Sequence, residues 1–327
     1  MKIGILGAGG MARAHAEAYA HMRGVEIAGF YGRHKGKVAA TAKAFHAPAT
    51  TDLDRILRDD SIDAVDVVVP SGVHRDPVVA ALEHGKDVFC ETPIALTLAD
   101  ADAMLRAARR AGRLLLCAQL MRFVAEYAHA RETAVSGRLG RVTFVLASRL
   151  SRPYWSPAEP RPFATYGEPI VELMIFDFNY LNWILGRPSS VSAQGLRGHR
   201  GAADYAVAEV QYPRALGVAE GSARMPAGFP FNTRLRVLFE EGLLEADFRI
   251  HPDRFASSYV EFSEGARGRK VRVPRRDPYA AECTHFVASV RGKADPDILD
   301  AVHDREALRV ALAARDSFRS ARRRTLP

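Results

Sequence analysis

The sequence predicts two domains of different fold class, an α/β domain with a parallel, doubly wound sheet and an α+β domain with an open, mostly antiparallel sheet. From Lys2 to Met121, short β-branched runs such as "KIGILG" and "AVDVVVP" alternate with helical patterns, which is typical of βαβ units. Beyond Met121, strand-like segments such as "YAVAEVQYP" and "TRLRVLFEEG" follow one another through short turns, as in an antiparallel sheet. We therefore predict domains at residues 1–120 and 121–327.

Composition limits the class of protein. The 327 residues are 48% hydrophobic, which is enough for a large core. The first residues lack a signal-peptide pattern and no apolar run reaches the ~18 to 20 residues of a membrane span, so we expect a cytoplasmic protein without a membrane partner. The three cysteines, Cys90, Cys117 and Cys283, are widely spaced and suit reduced core residues better than disulfides or a metal site.

The formal net charge of +8 raises the question of a nucleic-acid partner. We expect none, because the arginines are dispersed along the chain rather than gathered into one stripe. A positive cleft for an anionic ligand remains compatible with this charge. We expect a small-molecule substrate and, from the spacing of the cysteines, no metal.

The first strand leads into a glycine turn. "ILGAGGMARAHAEAY" places Gly7, Gly9 and Ala12 in a G-x-G-x-x-A pattern between a strand and a helix. Gly7 permits the tight turn, Gly9 removes the Cβ that would block a pyrophosphate, and Ala12 allows close helix packing. The helix start at Gly10 and Met11 offers free N–H groups to phosphates. This combination predicts a bound dinucleotide, against the alternative of a simple tight turn.

The end of the second strand indicates which dinucleotide binds. A site for NAD(H) would place a carboxylate about 20 residues beyond the glycines, to hold the ribose 2′-hydroxyl. Residues 32–37, "GRHKGK", contain none, and Arg33 and His34 lie at the predicted strand end. The forked guanidinium of Arg33 suits a 2′-phosphate, so we predict NADP(H) over NAD(H). The alternative is a solvated basic turn.

The later elements follow in order. The strand "DVFCE" runs into Glu91-Thr92-Pro93, so a carboxylate and a rigid dipeptide stand where a strand of the sheet ends. The second domain opens with a helix through "VAEYAHARETAVSG", the strand "RVTFVLASRL" and a Pro-rich loop at residues 151–169. A single helix is predicted over "IVELMIFDFNYLNWILG", then a series of strands, and two helices at Tyr279 to Val290 and Asp304 to Ala321 close the chain.

These residues resemble the family of glucose–fructose oxidoreductase and inositol dehydrogenase, Gfo/Idh/MocA. The resemblance rests on "VVVPSGVHRDPVVAALEHGKDVFCETPIALTLADADAML", "QLMRFVAEYAHARETAVSGRLGRV", "VELMIFDFNYLNWILGRPSSV" and the two C-terminal helices, in this order along the whole chain. It implies a Rossmann domain joined to an open, mostly antiparallel sheet, with substrate held between them over the nicotinamide.

The resemblance also implies cofactor-binding residues. Val69, Pro70 and Ser71 would lie beside the adenosine half of the cofactor, and His74 near that loop. Glu91, with Thr92 next to it, would lie close to the nicotinamide ribose, and Thr92-Pro93 would be a cis peptide. A histidine that caps the following helix is the alternative for His74.

The chain departs from the family pattern at the reacting end. Thr92 stands where the family usually has lysine. Glu172, Phe176 and Asn179 stand where it usually has Asp or Glu, then His, then Asp, at spacings that share one helical face. Threonine is a poor acid or base near neutrality, whereas a positioned general base usually contributes about 10²- to 10⁴-fold in rate. We therefore do not expect the family's ordinary alcohol-oxidising mechanism.

Other groups must then handle the proton and the substrate. The candidates for the proton are Glu172, Asp177 and Thr92, with a tyrosine or water as alternatives, and Asp177 has the further alternative of pairing with an arginine. The candidate substrate contacts are Arg122, Tyr154, Trp155, Glu172, Phe176 and Asn179. The alternatives are a surface salt bridge for Arg122 and a loop anchor for Trp155.

The hypothesis from sequence is an NADP(H)-dependent oxidoreductase, more specifically a reductase, of a carbohydrate-like or other polar carbonyl compound. Reduction is favoured because its proton can come from solvent. The alternative is a sensor or regulator of the same fold that binds dinucleotide without turnover. Because the open sheet of the second domain needs its outer face covered, we expect a homo-oligomer, a dimer or tetramer, formed through that sheet.

Overall fold

The computed structural model describes residues 1–153, 163–198, 201–251, 255–263, 265 and 267–326. Its contacts divide the chain into two units, Met1–Phe123 with Arg276–Arg305, and Val124–Arg275 with Glu306–Pro327. The sequence prediction placed residues 276–305 in the second domain, whereas the structure groups them with the first. The physical reason is a helix in this segment that packs on the core of the first unit. The ring of Phe286 stacks there on the ring of Phe89, with 4.9 Å between the ring centroids.

The described strands form two sheets. In chain order they are β1 (Lys2–Leu6), β2 (Glu26–Tyr31), β3 (Ala49–Thr50), β4 (Ala64–Val67), β5 (Asp87–Cys90), β6 (Leu115–Cys117), β7 (Val142–Leu150), β8 (Ser190–Arg197), β9 (Ala203–Gln211), β10 (Leu216–Ser222), β11 (Phe231–Phe239), β12 (Gly242–Ile250), β13 (Phe255–Ser263), β14 (Arg269–Lys270) and β15 (Arg324–Thr325). The sheet orders are β3-β2-β1-β4-β5-β6 and β14-β13-β12-β11-β7-β10-β9-β8-β15.

The described helices surround these sheets. They are α1 (Gly10–Ala20), α2 (Lys35–Ala44), α3 (Asp54–Leu57), α4 (Arg75–Glu83), α5 (Leu98–Ala111), α6 (Ala125–Ser136), α7 (Phe163–Tyr166), α8 (Pro169–Glu172), α9 (Ile175–Leu185), α10 (Pro278–Val290) and α11 (Ala301–Ser320). α5 shows how local sequence sets such bounds. The Thr97 side chain caps its N-terminus by accepting the Asp100 N–H, and Gly112 ends it with φ of 61°.

The first sheet is parallel throughout, which confirms the doubly wound prediction. All residues of β4 and β5 are buried, as expected for strands covered on both faces. Strand order reverses between β1 and β4 because the chain first adds β2 and β3 on one side and then β4 to β6 on the other. In open α/β sheets, ligands bind where strand order reverses in this way.

The second sheet is mostly antiparallel, as predicted, with β7 and β10 as a parallel pair. In β11, Leu235 and Val237 are buried while Arg234 and Arg236 are exposed, so one face of the sheet packs inward. On the outer face, Arg236 forms an ion pair with Glu245 of β12.

The three cysteines are free and buried, which confirms their prediction as core residues. Within the described residues, we find no helix that combines the length and the apolar composition needed to cross a bilayer.

Candidate active site

The carboxyl ends of three neighbouring strands form the candidate site. The Val68 N–H donates to the Leu6 carbonyl at 2.9 Å, and the Glu91 N–H donates to the Val67 carbonyl at 3.0 Å. These bonds place the turn after β1, the loop after β4 and the turn after β5 side by side. Open α/β sheets bind ligands where strand order reverses, here between β1 and β4. The predicted residues Val69, Pro70 and Ser71 lie in the loop after β4.

The turn after β1 has the shape that a dinucleotide pyrophosphate requires. Gly7 has φ of +150°, and a Cβ there would lie 2.7 Å from the Val68 carbonyl oxygen. A Cβ on Gly9 or Gly10 would meet no described residue within 4 Å, so space is open in front of this turn among the described parts of the chain. No described side chain caps α1, which leaves its first N–H groups for a ligand. The turn and the first turn of α1 hold all five predicted residues: Gly7, Gly9, Gly10, Met11 and Ala12.

The end of β2 is basic and lies beside this turn. Its last residue, Tyr31, accepts the Gly7 N–H at 2.9 Å. Arg33 and His34 follow at once and are exposed. Residues 32–37 contain no carboxylate, and within the described ranges Arg33 has no ion-pair partner. A free guanidinium therefore stands next to the predicted pyrophosphate site.

His74 is buried and does not cap a helix. It occupies the N-cap position of α4 without a side-chain capping bond. Its ring instead lies between two carbonyls, with Nε2 2.7 Å from the Val69 oxygen and Nδ1 3.1 Å from the Ile94 oxygen. Burial lowers the pKa of His74 despite these contacts. The capping alternative is therefore wrong, because the ring joins the loop after β4 to the turn after β5.

Glu91 is held by two neighbours. One carboxylate oxygen accepts the Thr92 N–H at 3.0 Å, and the other lies 3.2 Å from His15 Nε2. His15, on α1, is fully buried, and its Nδ1 lies 2.8 Å from Asp66 Oδ2 on β4. Burial by itself lowers the pKa of His15, but the Asp66 carboxylate raises it well above its ordinary value. The carboxylate of Glu91 thus lies between the Thr92 N–H and the His15 ring at the strand end, an arrangement that sequence reasoning missed.

The Thr92 hydroxyl is bonded to a carboxylate from a distant part of the chain. The Thr92-Pro93 bond is cis, as the resemblance implied. Thr92 Oγ1 donates to Asp304 Oδ1 at 2.6 Å, and the Ile94 N–H donates to Asp304 Oδ2 at 2.7 Å. Asp304 is 1% exposed. Sequence reasoning did not assign Asp304, which lies 212 residues from Thr92.

Arg122, Tyr154 and Trp155 were also predicted to contact substrate. Arg122 is buried and donates to the Ile298 carbonyl at 2.8 Å, so the surface salt bridge offered as its alternative is wrong. Its contact with substrate stays a prediction. Tyr154 and Trp155 lie outside the described residues.

The helix predicted over residues 170–186 is two helices. α8 ends at Glu172, and α9 begins beyond Met174. The division falls between Glu172 and Phe176, so the single continuous helix predicted to carry Glu172, Phe176 and Asn179 is wrong, while their common face stays a prediction. Met174 packs so closely on β10 that a Cβ at Gly221 would lie 2.3 Å from its Cγ.

Asp177 is paired with an arginine, which was the alternative to a proton-handling role. Arg149 Nε and Nη2 each lie 3.2 Å from a carboxylate oxygen of Asp177. Asp177 is fully buried and Arg149 nearly so, and the guanidinium also stacks over the Phe176 ring at 4.8 Å. Burial raises the pKa of Asp177, while Arg149 acts in the opposite direction. Phe176 thus packs against this buried ion pair.

Comparison with known proteins agrees with this architecture. Residues 1–119 match the model of the GFO/IDH/MocA oxidoreductase family with its NAD-binding Rossmann fold. Residues 127–245 match the model of the GFO/IDH/MocA C-terminal domain.

Individual relatives cover long stretches of the chain. Myo-inositol 2-dehydrogenase of Thermotoga maritima is 25% identical to this chain over an alignment of 343 residues. The alignment covers 98% of this chain and 97% of the relative. The 1,5-anhydro-D-fructose reductase of Ensifer adhaerens is 30% identical over 190 residues, 56% of each chain. The structure of aldose-aldose oxidoreductase from Caulobacter crescentus shares the fold, with a TM-score of 0.87 at 22% identity over 100% of this chain and 99% of its own. This chain therefore belongs to the GFO/IDH/MocA family and is an NAD(P)-dependent oxidoreductase.

Proposed function

We propose that this oxidoreductase uses NADP(H) and reduces a carbohydrate-like or other polar carbonyl compound. The observation that carries the cofactor preference is the exposed Arg33 beside the glycine turn, with no carboxylate in residues 32–37. A guanidinium can bind a 2′-phosphate through two N–H donors. NAD(H) would instead need an acceptor for its ribose 2′-hydroxyl, which this segment does not offer.

The other cofactor contacts follow from the same edge of the sheet. The N–H groups of the glycine turn and of α1 would hold the pyrophosphate, and Glu91, which accepts the Thr92 N–H and lies beside His15, would accept hydrogen bonds from the nicotinamide ribose. The nicotinamide supplies the hydride chemistry when bound. The chain supplies binding, orientation and a hydroxyl proton at Thr92.

Reduction fits these residues better than alcohol oxidation. At position 92 the chain offers a hydroxyl, which donates and accepts hydrogen bonds but is a weak base. A reduction draws its proton ultimately from solvent, and NADPH provides the driving force. The names of the relatives, an inositol dehydrogenase, an anhydrofructose reductase and an aldose oxidoreductase, support a polyhydroxylated substrate.

The absence of lysine at position 92 and histidine at position 176 favours a second candidate, a dinucleotide sensor without turnover. Thermal-shift titrations with NAD(H) and NADP(H), followed by NADPH oxidation with pooled sugars, keto acids and aromatic ketones, separate the two. Steady NADPH consumption with a member of the panel supports the reductase. Tight NADPH binding with no consumption across the panel supports the sensor.

Replacing Arg33 with aspartate should reverse the cofactor preference. The carboxylate repels a 2′-phosphate and accepts the 2′-hydroxyl of NAD(H), so the ratio of the two dissociation constants should shift by at least about tenfold, or ~1.4 kcal/mol. The measurement is the dissociation constant of each cofactor by fluorescence titration. The control is Lys43→Asp, the same charge change at an exposed position of α2. A ratio that moves no further in Arg33→Asp than in the control contradicts the assignment.

The outer face of the second sheet supports the further proposal that copies of this chain associate there. Val207, Leu238 and Phe262 are exposed on this face between charged side chains. Covering them would remove apolar surface from water.

A further inference from the structure

We propose that Thr92 exchanges the reaction's proton with the substrate oxygen, and that Asp304 is the positioning residue that decides whether Thr92 donates or accepts that proton. This inference rests on the proposed reductase function. It identifies the group that replaces the family's usual lysine.

The geometry gives the Thr92 hydroxyl a fixed partner. Its Oγ1 lies 2.6 Å from Asp304 Oδ1, while Asp304 Oδ2 is held by the Ile94 N–H at 2.7 Å. Asp304 is almost fully buried, whereas Thr92 is only half-buried at the carboxyl end of β5. Thr92 therefore faces the carboxylate with one side of its oxygen and keeps accessible surface at the ligand edge of the sheet.

The chemistry of a hydroxyl turns this contact into a switch. A threonine hydroxyl has one proton and two lone pairs. When Asp304 is ionised, the proton of Thr92 is committed to the carboxylate, so Thr92 can only accept from a substrate hydroxyl. When Asp304 is protonated, it donates to Thr92 Oγ1, and Thr92 is free to donate to a substrate carbonyl. The protonation state of Asp304 thus sets the direction of the hydrogen bond at the substrate.

The proton path balances for a reduction. The carbonyl carbon receives the hydride, with its electron pair, that the reduced nicotinamide supplies, and negative charge develops on the carbonyl oxygen. The Thr92 O–H bond breaks as its proton forms the O–H bond of the product alcohol. The O–H bond of Asp304 breaks at the same time, and its proton restores the Thr92 hydroxyl. Asp304 is left as a carboxylate and regains a proton from solvent.

The surroundings of Asp304 suit this exchange. Burial raises the pKa of the Asp304 carboxyl above its ordinary value, although the bonds from Thr92 and Ile94 lower it. The other groups that act on Asp304 are the Cys117 thiol of β6, which bonds to it, and the Arg122 guanidinium, whose charge favours the ionised form. On β5, burial raises the pKa of the Cys90 thiol, and the charges of Glu91 and Asp304 raise it further.

The test compares pH profiles of the full-length chain and three variants. NADPH oxidation is measured with the best carbonyl compound of the panel for the wild type, Thr92→Val, Thr92→Ser and the control Thr284→Val, which alters an exposed threonine of the same unit. We expect wild-type kcat to fall as pH rises through the pKa of Asp304, because the protonated form is required. Thr92→Val should lose about 10²- to 10⁴-fold in kcat, and its remaining kcat should no longer fall as pH rises through this range. Thr92→Ser should have a kcat within about tenfold of the wild type and keep the wild-type pH dependence of kcat.

A second readout does not depend on turnover. Infrared difference spectra of the cofactor-free proteins against pH report the C=O stretch of protonated buried carboxyls, and Asp304→Asn assigns the band. We expect a band that titrates over the same range as kcat and shifts in Thr92→Val but not in Thr284→Val. An unshifted band in Thr92→Val, or wild-type kcat with an unchanged pH limb in that variant, overturns the proposal. A wild type that oxidises no NADPH but shows the shifting band counts against the reductase function and supports the Thr92–Asp304 coupling.

Discussion

Replacing Gly9 with valine is expected to abolish dinucleotide binding and leave the fold intact. The valine side chain would enter the open space in front of the glycine turn, where a pyrophosphate must approach the backbone closely. Gly9 has extended backbone angles that valine adopts readily, and its Cβ would touch no other residue. We expect the dissociation constants of NAD(H) and NADP(H) to rise at least about 100-fold, or ~2.7 kcal/mol, in fluorescence titrations.

Gly228→Val is the matched control for this experiment. Gly228 lies in an exposed turn of the second unit, and a Cβ there also meets none of the residues that the structure describes within 4 Å. Both variants should keep the melting temperature of the wild type, and only Gly9→Val should lose cofactor-induced stabilisation. Wild-type affinity in Gly9→Val would place the cofactor elsewhere in the chain.

Replacing Asp177 with alanine is expected to cost about 3–5 kcal/mol of unfolding free energy, because it leaves the buried Arg149 guanidinium without its counter-charge. The measurement is denaturant unfolding followed by circular dichroism. Asp316→Ala removes the carboxylate of an ion pair whose Asp316 side chain is 50% exposed, and should cost no more than about 1 kcal/mol. Equal stability of the two variants, with turnover lost only in Asp177→Ala, would return Asp177 to the proton-handling role.

Local sequence patterns predicted the fold class and the position of the glycine turn after β1. The alternation of β-branched runs and helical segments predicted the parallel sheet. Each strand and each helix can be recognised from the spacing of apolar residues within its own segment. The turn at Gly7 and Gly9 was recognisable because its shape depends on a few adjacent residues. The mostly apolar segment between Ile170 and Leu185 contains no glycine or proline, so no residue in it marked the helix break after Glu172.

The contacts around Glu91 and Thr92 were not predictable, because they join residues far apart in the chain. His15 and Tyr19 both bond to Asp66 and lie one helical turn apart, on a buried face of α1 that otherwise carries alanines. Two polar residues on such a face were a signal that a buried acid would be near. Asp304 gave a weaker signal, since an acid in the first turn of a helix is common on electrostatic grounds alone.

The first unit is assembled from two stretches of chain, and this affects its folding during synthesis. The ribosome completes residues 1–123 long before residues 276–305 emerge. Until then Phe89 lacks the ring of Phe286 that stacks on it. The nascent amino-terminal segment must therefore wait, with apolar surface uncovered, until residues 276–305 have been synthesised. A gene fragment that stops near residue 123 would encode a unit with part of its core missing.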